Sequence, residues 1–478
     1  MTIPRVGIEI DATTIKAIWL TPQCEQKSIE TIPLPVERKD SGTTLVPSLT
    51  WERLQSIPDR FSFRGAWEAA LAAEPLSFLL WDGRTGEVLT PLLSWRDNHG
   101  QKWFEQLTNE DKHLIKEMAG INISPGQPLA RFNNFLSLDS CQKALEAGQL
   151  CWGNIGTWIL WRATGGELHW MDHSQAQYSG LYSPVENNWS SQLLERFNVP
   201  PEILPEVGKT LKTRVSVRKL WKKCNLVGIV SNRQSYVIGN QPPESRRGVM
   251  RLATDAEVSL PESWSDNADS ESGDNISLPA ASGARDYISG RIPAAGSAVN
   301  WFSKIFSLDR QVLGQWIKPP WPQSPPLWSL SFYGTGAPHN SAAPAVLTNF
   351  QETSSTRELA QGLLLSLLLQ LKQMLGDMLG KHSGEVPLTF GGGLARLPRY
   401  PSLAASVLNN SLAVNLLPLP AARGAVIHSH WQHKYLQRDP WRQTNLSVVL
   451  PEDDLPVNKW EQLWRKFDQR FFRPDYSD

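Results

Sequence analysis

An excess of charge of one sign is missing from this chain: 47 Lys and Arg residues balance 47 Asp and Glu residues over 478 positions. Without a one-signed surface field to recruit nucleic acid or an anionic membrane, a small-molecule or protein partner is favoured. Cysteine is scarce. Cys24, Cys141, Cys151 and Cys224 form no close-spaced pair, which argues against a disulfide framework or a cysteine zinc site and fits a reducing, cytoplasmic setting. Long apolar runs are lacking too: the most apolar stretch, Gly362 to Leu371, has about ten residues where a bilayer span needs roughly 20, and it reads as a buried helix. No charged, apolar leader is expected, because Met1 to Arg5 runs directly into the strand pattern Val6 to Ile10. No repeat of solenoid period is found.

What is present is length and apolar content. With 478 residues and 41% hydrophobic positions the chain exceeds what one core holds, since single cores rarely grow beyond about 250 to 300 residues. Two lobes are expected, and 21 Trp residues supply large side chains for cores and clefts. The start reads strand, turn, strand (VGIEI, DATT, IKAIWL), a candidate phosphate hairpin. A second hairpin, SFLLW to VLTPLLSW, carries Gly83 and Gly86 at its tip. Helices are expected over Asn154 to Thr164 and about Ser355 to Gly380. LVGIVSNRQSYVIG reads as a buried strand, a polar turn and a helix start, so Asn232 stands at a strand end, where active-site residues often sit. Residues 260–284, rich in Ser, Asp, Asn, Gly and Pro, read as a flexible insertion. The stretch Lys318 to Trp328 reads as a stiff, proline-rich connector.

Taken alone, the glycine loop Gly391, Gly392, Gly393 and the turn holding Gly334 and Gly336 are tight turns as readily as phosphate cradles. Their order with the other segments adds weight. VGIEIDATTIKAIWL, TGEVLTPLLSWRDNHG, NIGTWILWRATGGELHWMDHSQAQYSGLY with NVPPEILPEV, LVGIVSNRQSYVIG, IPAAGSAVNWF, FYGTGAP and FGGGLARLP together resemble the FGGY family of carbohydrate kinases over most of the chain. That resemblance implies an α/β fold of two actin-like (ribonuclease H-like) domains around a central cleft, with the boundary near residue 246 (1–246 and 247–478). It implies a sugar or polyol in the cleft, with ATP and Mg²⁺ held mainly by the second domain, through Gly296, Gly334, Gly336, Gly392 and Gly393 and, from the opening hairpin, Thr13, Thr14 and Lys16. Asp97 and Gln234 match the substrate side, as does Asp172, which also reads as structural.

The departures from the pattern lie along the phosphate path. Asn232 stands where the family has the aspartate that accepts the hydroxyl proton, a contribution typically worth about 10²- to 10⁴-fold in rate. An amide can hold a hydroxyl but cannot deprotonate it; a strand-end cap and a ligand contact without catalysis both stay open. At the opening hairpin Glu9 falls where the family has a metal-associated aspartate, and Asp11 and Ala12 replace glycine and threonine, so Glu9 and Asp11 are the candidate metal residues. Lys16 reads either as a solvated strand-edge lysine or as a phosphate ligand. The stretch after Gly248 lacks the expected phosphate-loop glycine and offers Asp255. On the sugar side the arginine-glutamate pair of glycerol kinases is replaced by AEPLS (Ala73 to Ser77), and Gly126 stands in place of an aromatic residue. His428, His430 and His433 have no zinc spacing and read as an ordinary helix surface.

These features describe a carbohydrate kinase fold with impaired catalysis, acting as a ligand-binding or regulatory protein. The alternative is an active ATP-dependent sugar kinase whose base has moved to Asp11 or Asp255. A protein partner stays open, as does the oligomeric state.

Overall fold

The alternation in RVGIEI and TIKAIWL makes an antiparallel hairpin, β1 (Arg5–Ile10) and β2 (Thr14–Leu20), continued by β3 (Gln26–Pro33). Beside β1 and parallel to it runs β4 (Trp67–Ala73), a fully buried WEAALAA segment. A short edge strand β5 (Val215–Ser216) pairs antiparallel to β6 (Cys224–Ser231), which is parallel to β4, giving a six-stranded sheet of order β5-β6-β4-β1-β2-β3. Continuous apolar runs suit strands covered on both faces. The helices that matter here are α1 (Leu129–Leu136), α2 (Ile155–Thr164) and α3 (Asn232–Asn240). The Asn154 side chain accepts from the Thr157 amide at the start of α2, and the Ser231 hydroxyl accepts from the Gln234 amide at the start of α3.

This computed structural model describes residues 3–472 except 22, 40–41, 98, 210, 212–213, 242–244, 246, 265–273, 281–282, 330, 333, 338, 340–343, 381–385, 433–445 and 453. The chain forms two units. One comprises Met1–Glu244, Ser277–Arg285 and Leu417–Gln443; the other comprises Ser245–Ile276, Asp286–Leu416 and Thr444–Asp478.

A second, seven-stranded sheet holds β7 (Gly248–Leu252), β8 (Ala256–Pro261), β9 (Asp274–Ala280), β10 (Gly283–Ile292), β11 (Leu388–Gly391), β12 (Leu412–Val414) and β13 (Ser447–Val449), in the order β9-β10-β8-β7-β11-β12-β13. Its meander β7-β8-β10, parallel partners β11 and β12 and antiparallel edge β13 repeat the pattern of the first sheet. The topology is therefore duplicated although no sequence repeat is visible. The expected helix over Ser355 to Gly380 is α5 (Thr356–Leu379), which follows α4 (Gly296–Ile305) and carries a Ser355–Glu358 capping box. By composition α5 could cross a membrane, but 72% of its most apolar window is buried, as in a core helix. The chain returns to the first unit through α6 (Pro420–Gln432). There α3 and α6 cross so closely that a Cβ at Gly239 would stand 1.8 Å from the Pro420 carbonyl oxygen.

Within the stretch 260–284 that reads as an insertion, residues 260–261 end β8, Glu262–Trp264 form a 3-10 turn, residues 274–280 form β9 at the sheet edge and 283–284 open β10; residues 265–273 and 281–282 lie outside the described set. One sequence expectation is corrected. His428 and His430 are buried rather than on a helix surface, because α6 packs into the first unit, where His430 Nε2 lies 3.0 Å from Glu68 Oε2 and Nδ1 lies 2.9 Å from the Val426 carbonyl. His433 lies outside the described residues.

Candidate functional site

Strand register places three residues side by side. β1, β4 and β6 run parallel, with Ile10 opposite Ala73 and Ala73 opposite Ser231, so the next residues, Asp11, Glu74 and Asn232, follow the carboxyl ends of three adjacent strands. Ligands of open α/β sheets bind at such ends. Asn232 is buried in the first turn of α3, as expected of a strand-end residue. Asp11 Oδ1 accepts from the Ala12 amide at 2.7 Å.

Glu74 was not singled out from the sequence, where AEPLS reads as the loss of a charged pair. Its carboxyl is fully buried; burial pushes its pKa up to about 7, raised further by the Asp11 charge and held down by the Leu76 amide, Arg233 and Arg131. Oε1 accepts from the Leu76 amide at 2.8 Å, and Oε2 has no partner among the described residues. The signal that could have found it is position: an acid directly after a wholly apolar strand.

Asp97 is buried beside this group. Its Oδ1 accepts from the His99 amide at 3.0 Å and lies 3.8 Å from Arg131 Nε, and its Oδ2 lies 2.7 Å from His99 Nδ1. Arg131, on α1, donates to the carbonyls of Leu76 and Ser94, both at 2.6 Å, and so ties the Glu74 and Asp97 loops together. The Arg233 guanidinium lies 5.1 Å from the centre of the Tyr178 ring. Gln234 is 1% exposed, and among the described residues neither amide atom of its side chain has a partner. Asp172 serves a structural end: Oδ1 accepts from the Ser174 amide at 2.8 Å, and burial raises its pKa to about 8.

On the opening hairpin, Lys16 pairs across the strands with Glu9 at 3.6 Å, and the Thr13 and Thr14 carbonyls accept from Leu34 and Asp11 amides. Among the described residues no group of three or more His, Cys, Asp or Glu side chains is placed to hold an ion.

In the second unit, Gly392 follows β11 with φ +99, and a Cβ there would stand 2.4 Å from the Leu252 carbonyl oxygen; Gly393 follows it. Gly296 opens α4, where its amide donates to the Ala253 carbonyl at 2.8 Å. Gly334 and Gly336 both have positive φ, while Tyr333 and Pro338 of the same turn lie outside the described residues. Asp255 is occupied: Oδ1 lies 2.9 Å from Arg251 Nη2 and Oδ2 lies 2.8 Å from Arg291 Nε. A carboxylate clamped by two guanidinium groups is a poor proton acceptor.

Residues 70–228 match the model of the FGGY family of carbohydrate kinases, N-terminal domain. This match runs from within β4 to within β6. Over that third of its length the chain is similar to the N-terminal domain of FGGY carbohydrate kinases. Glycerol kinase 1 of Thermotoga maritima is 22% identical over 363 residues, 72% of each chain. Glycerol kinase of Mycoplasmoides gallisepticum is 31% identical over 170 residues, which span 34% of this chain and only 33% of that relative. The xylulose kinase structure from Lactobacillus acidophilus superimposes with a TM-score of 0.81 at 16% identity, covering 98% of both chains. At that identity the likeness carries the fold, so the FGGY architecture expected from the sequence is the one observed.

Proposed function

We propose that this FGGY protein binds a sugar or polyol at the strand ends of its first unit and a nucleotide at the glycine-lined strand ends of its second, and transfers phosphoryl groups poorly. One observation carries the reading: the residue after β6 is Asn232, an amide with no basic site near neutral pH. Phosphoryl transfer depends on positioning and charge stabilisation, so the remaining groups still support binding and slow turnover. Asp97, fixed by Arg131 and His99, and the unpartnered Gln234 amide are the polar groups offered to the acceptor hydroxyls. ATP is the phosphoryl donor in this reading. Its magnesium ion belongs to the nucleotide. The four free thiols suit a reducing cytoplasm.

The test pairs melting temperature with ADP release, measured with ATP-Mg and a panel of sugars and polyols that includes glycerol and xylulose. The reading expects a ligand-dependent rise in melting temperature and slow ADP release. Turnover as fast as an ordinary kinase contradicts it. If no ligand raises the melting temperature while a protein co-purifies, regulation through protein contacts takes its place.

A further inference from the structure

The missing base on β6 has a neighbour one strand away. Glu74 stands beside Asn232 because Ala73 and Ser231 are opposed in the parallel pair of β4 and β6, and neighbouring strands lie about 4.8 Å apart. The carboxyl is buried, its Oε1 is fixed by the Leu76 amide, and its Oε2 has no partner among the described residues. A buried oxygen without a partner is costly unless a ligand supplies one. Of the other carboxylates near the strand ends, Asp97 is bound to His99 and Arg131, and Asp11 is turned onto the Ala12 amide.

Resting on the binding reading above, we propose that Glu74 Oε2 is the proton acceptor for whatever phosphoryl transfer this protein retains, with Asn232 holding the same hydroxyl. In that step the acceptor O–H bond breaks and its proton passes to Glu74 Oε2. The freed oxygen lone pair forms the new O–P bond to the γ-phosphorus of ATP. The bond from that phosphorus to the bridging oxygen breaks, and its electrons leave with ADP. A carboxyl that titrates near neutrality suits this task, being a stronger base than an ordinary carboxylate and still ionised in part at pH 7.

The experiment compares wild type, Glu74→Gln, Asn232→Asp and the double variant in the full chain. ADP release is followed with ATP-Mg and glycerol or xylulose between about pH 5 and 9, with kcat and KM separated. Wild type is expected to show slow turnover that rises through neutral pH, and Glu74→Gln to lower kcat about 10²-fold or more while KM changes little. The double variant is expected to recover turnover, because the carboxylate restored on β6 replaces the one removed from β4. Unchanged kcat and pH profile in Glu74→Gln would overturn the assignment. So would a double variant that stays inactive while Asn232→Asp is active, since Glu74 would then be a binding contact. Wild type that yields no product with either acceptor also overturns it; a melting shift without product leaves the binding reading standing, and no shift and no product remove both.

Discussion

Glu74 and Asn232 follow Ala73 and Ser231, which face each other on two parallel strands, so an acid and an amide residue follow the carboxyl ends of adjacent strands of one sheet. Acid and amide therefore differ in which strand carries the charge. The consequences can be measured.

Stability should fall as pH rises through neutrality. Glu74 and Asp172 are fully buried, and burial raises their pKa values to about 7 and about 8. An unfolded glutamate or aspartate loses its proton near pH 4. Between that value and the raised one, the folded state holds a proton that the unfolded state has released, so rising pH favours unfolding. Glu74→Gln should reduce the stability lost between about pH 5 and pH 8 by roughly 2 to 3 kcal/mol. Urea unfolding at the two pH values checks it, and a variant whose pH dependence matches wild type refutes it.

Arg131→Met should destabilise the first unit by about 3 to 5 kcal/mol, because it leaves the buried Asp97 carboxylate without its guanidinium partner. The Leu76 and Ser94 carbonyls also lose the N–H donors of Arg131, with Ser94 keeping the Asp97 amide. Denaturant midpoints measure this. A loss below about 1 kcal/mol would show that the pair contributes little, as surface pairs do.

Asp255→Asn should lower the melting temperature, because Arg251 and Arg291 both lose an anionic partner. The expected destabilisation is about 1 to 3 kcal/mol. The pH dependence of any ADP release should stay that of wild type. A changed pH profile would mean that Asp255 takes part in proton transfer despite its two arginines.

Much of the fold was legible in the sequence because it rests on local chemistry. The opening hairpin, the buried strand before Asn232 and the long capped helix α5 each follow from patterning and caps within a few residues. What was hidden depends on long-range packing. Glu74 gains its importance from the register between β4 and β6, strands more than a hundred residues apart in sequence, and a comparison of AEPLS with a charged pair points away from it. His428 and His430 look like surface residues until α6 is seen to return to the first unit. The role of Asp255 depends on Arg291, which β10 brings alongside through its pairing with β8. The stretch 260–284 is polar enough to read as loop, yet sheet-edge pairing gives its residues 274–280 a strand conformation.

The most direct test of the account is the ratio of turnover between Asn232→Asp and wild type, measured as ADP release with ATP-Mg and an acceptor that raises the melting temperature of both. The account predicts slow wild-type turnover, well below the roughly 1 to 100 s⁻¹ usual for kinases, and a gain of about 10²- to 10⁴-fold in the variant. Wild-type turnover within the usual range, with no gain in Asn232→Asp, would contradict it.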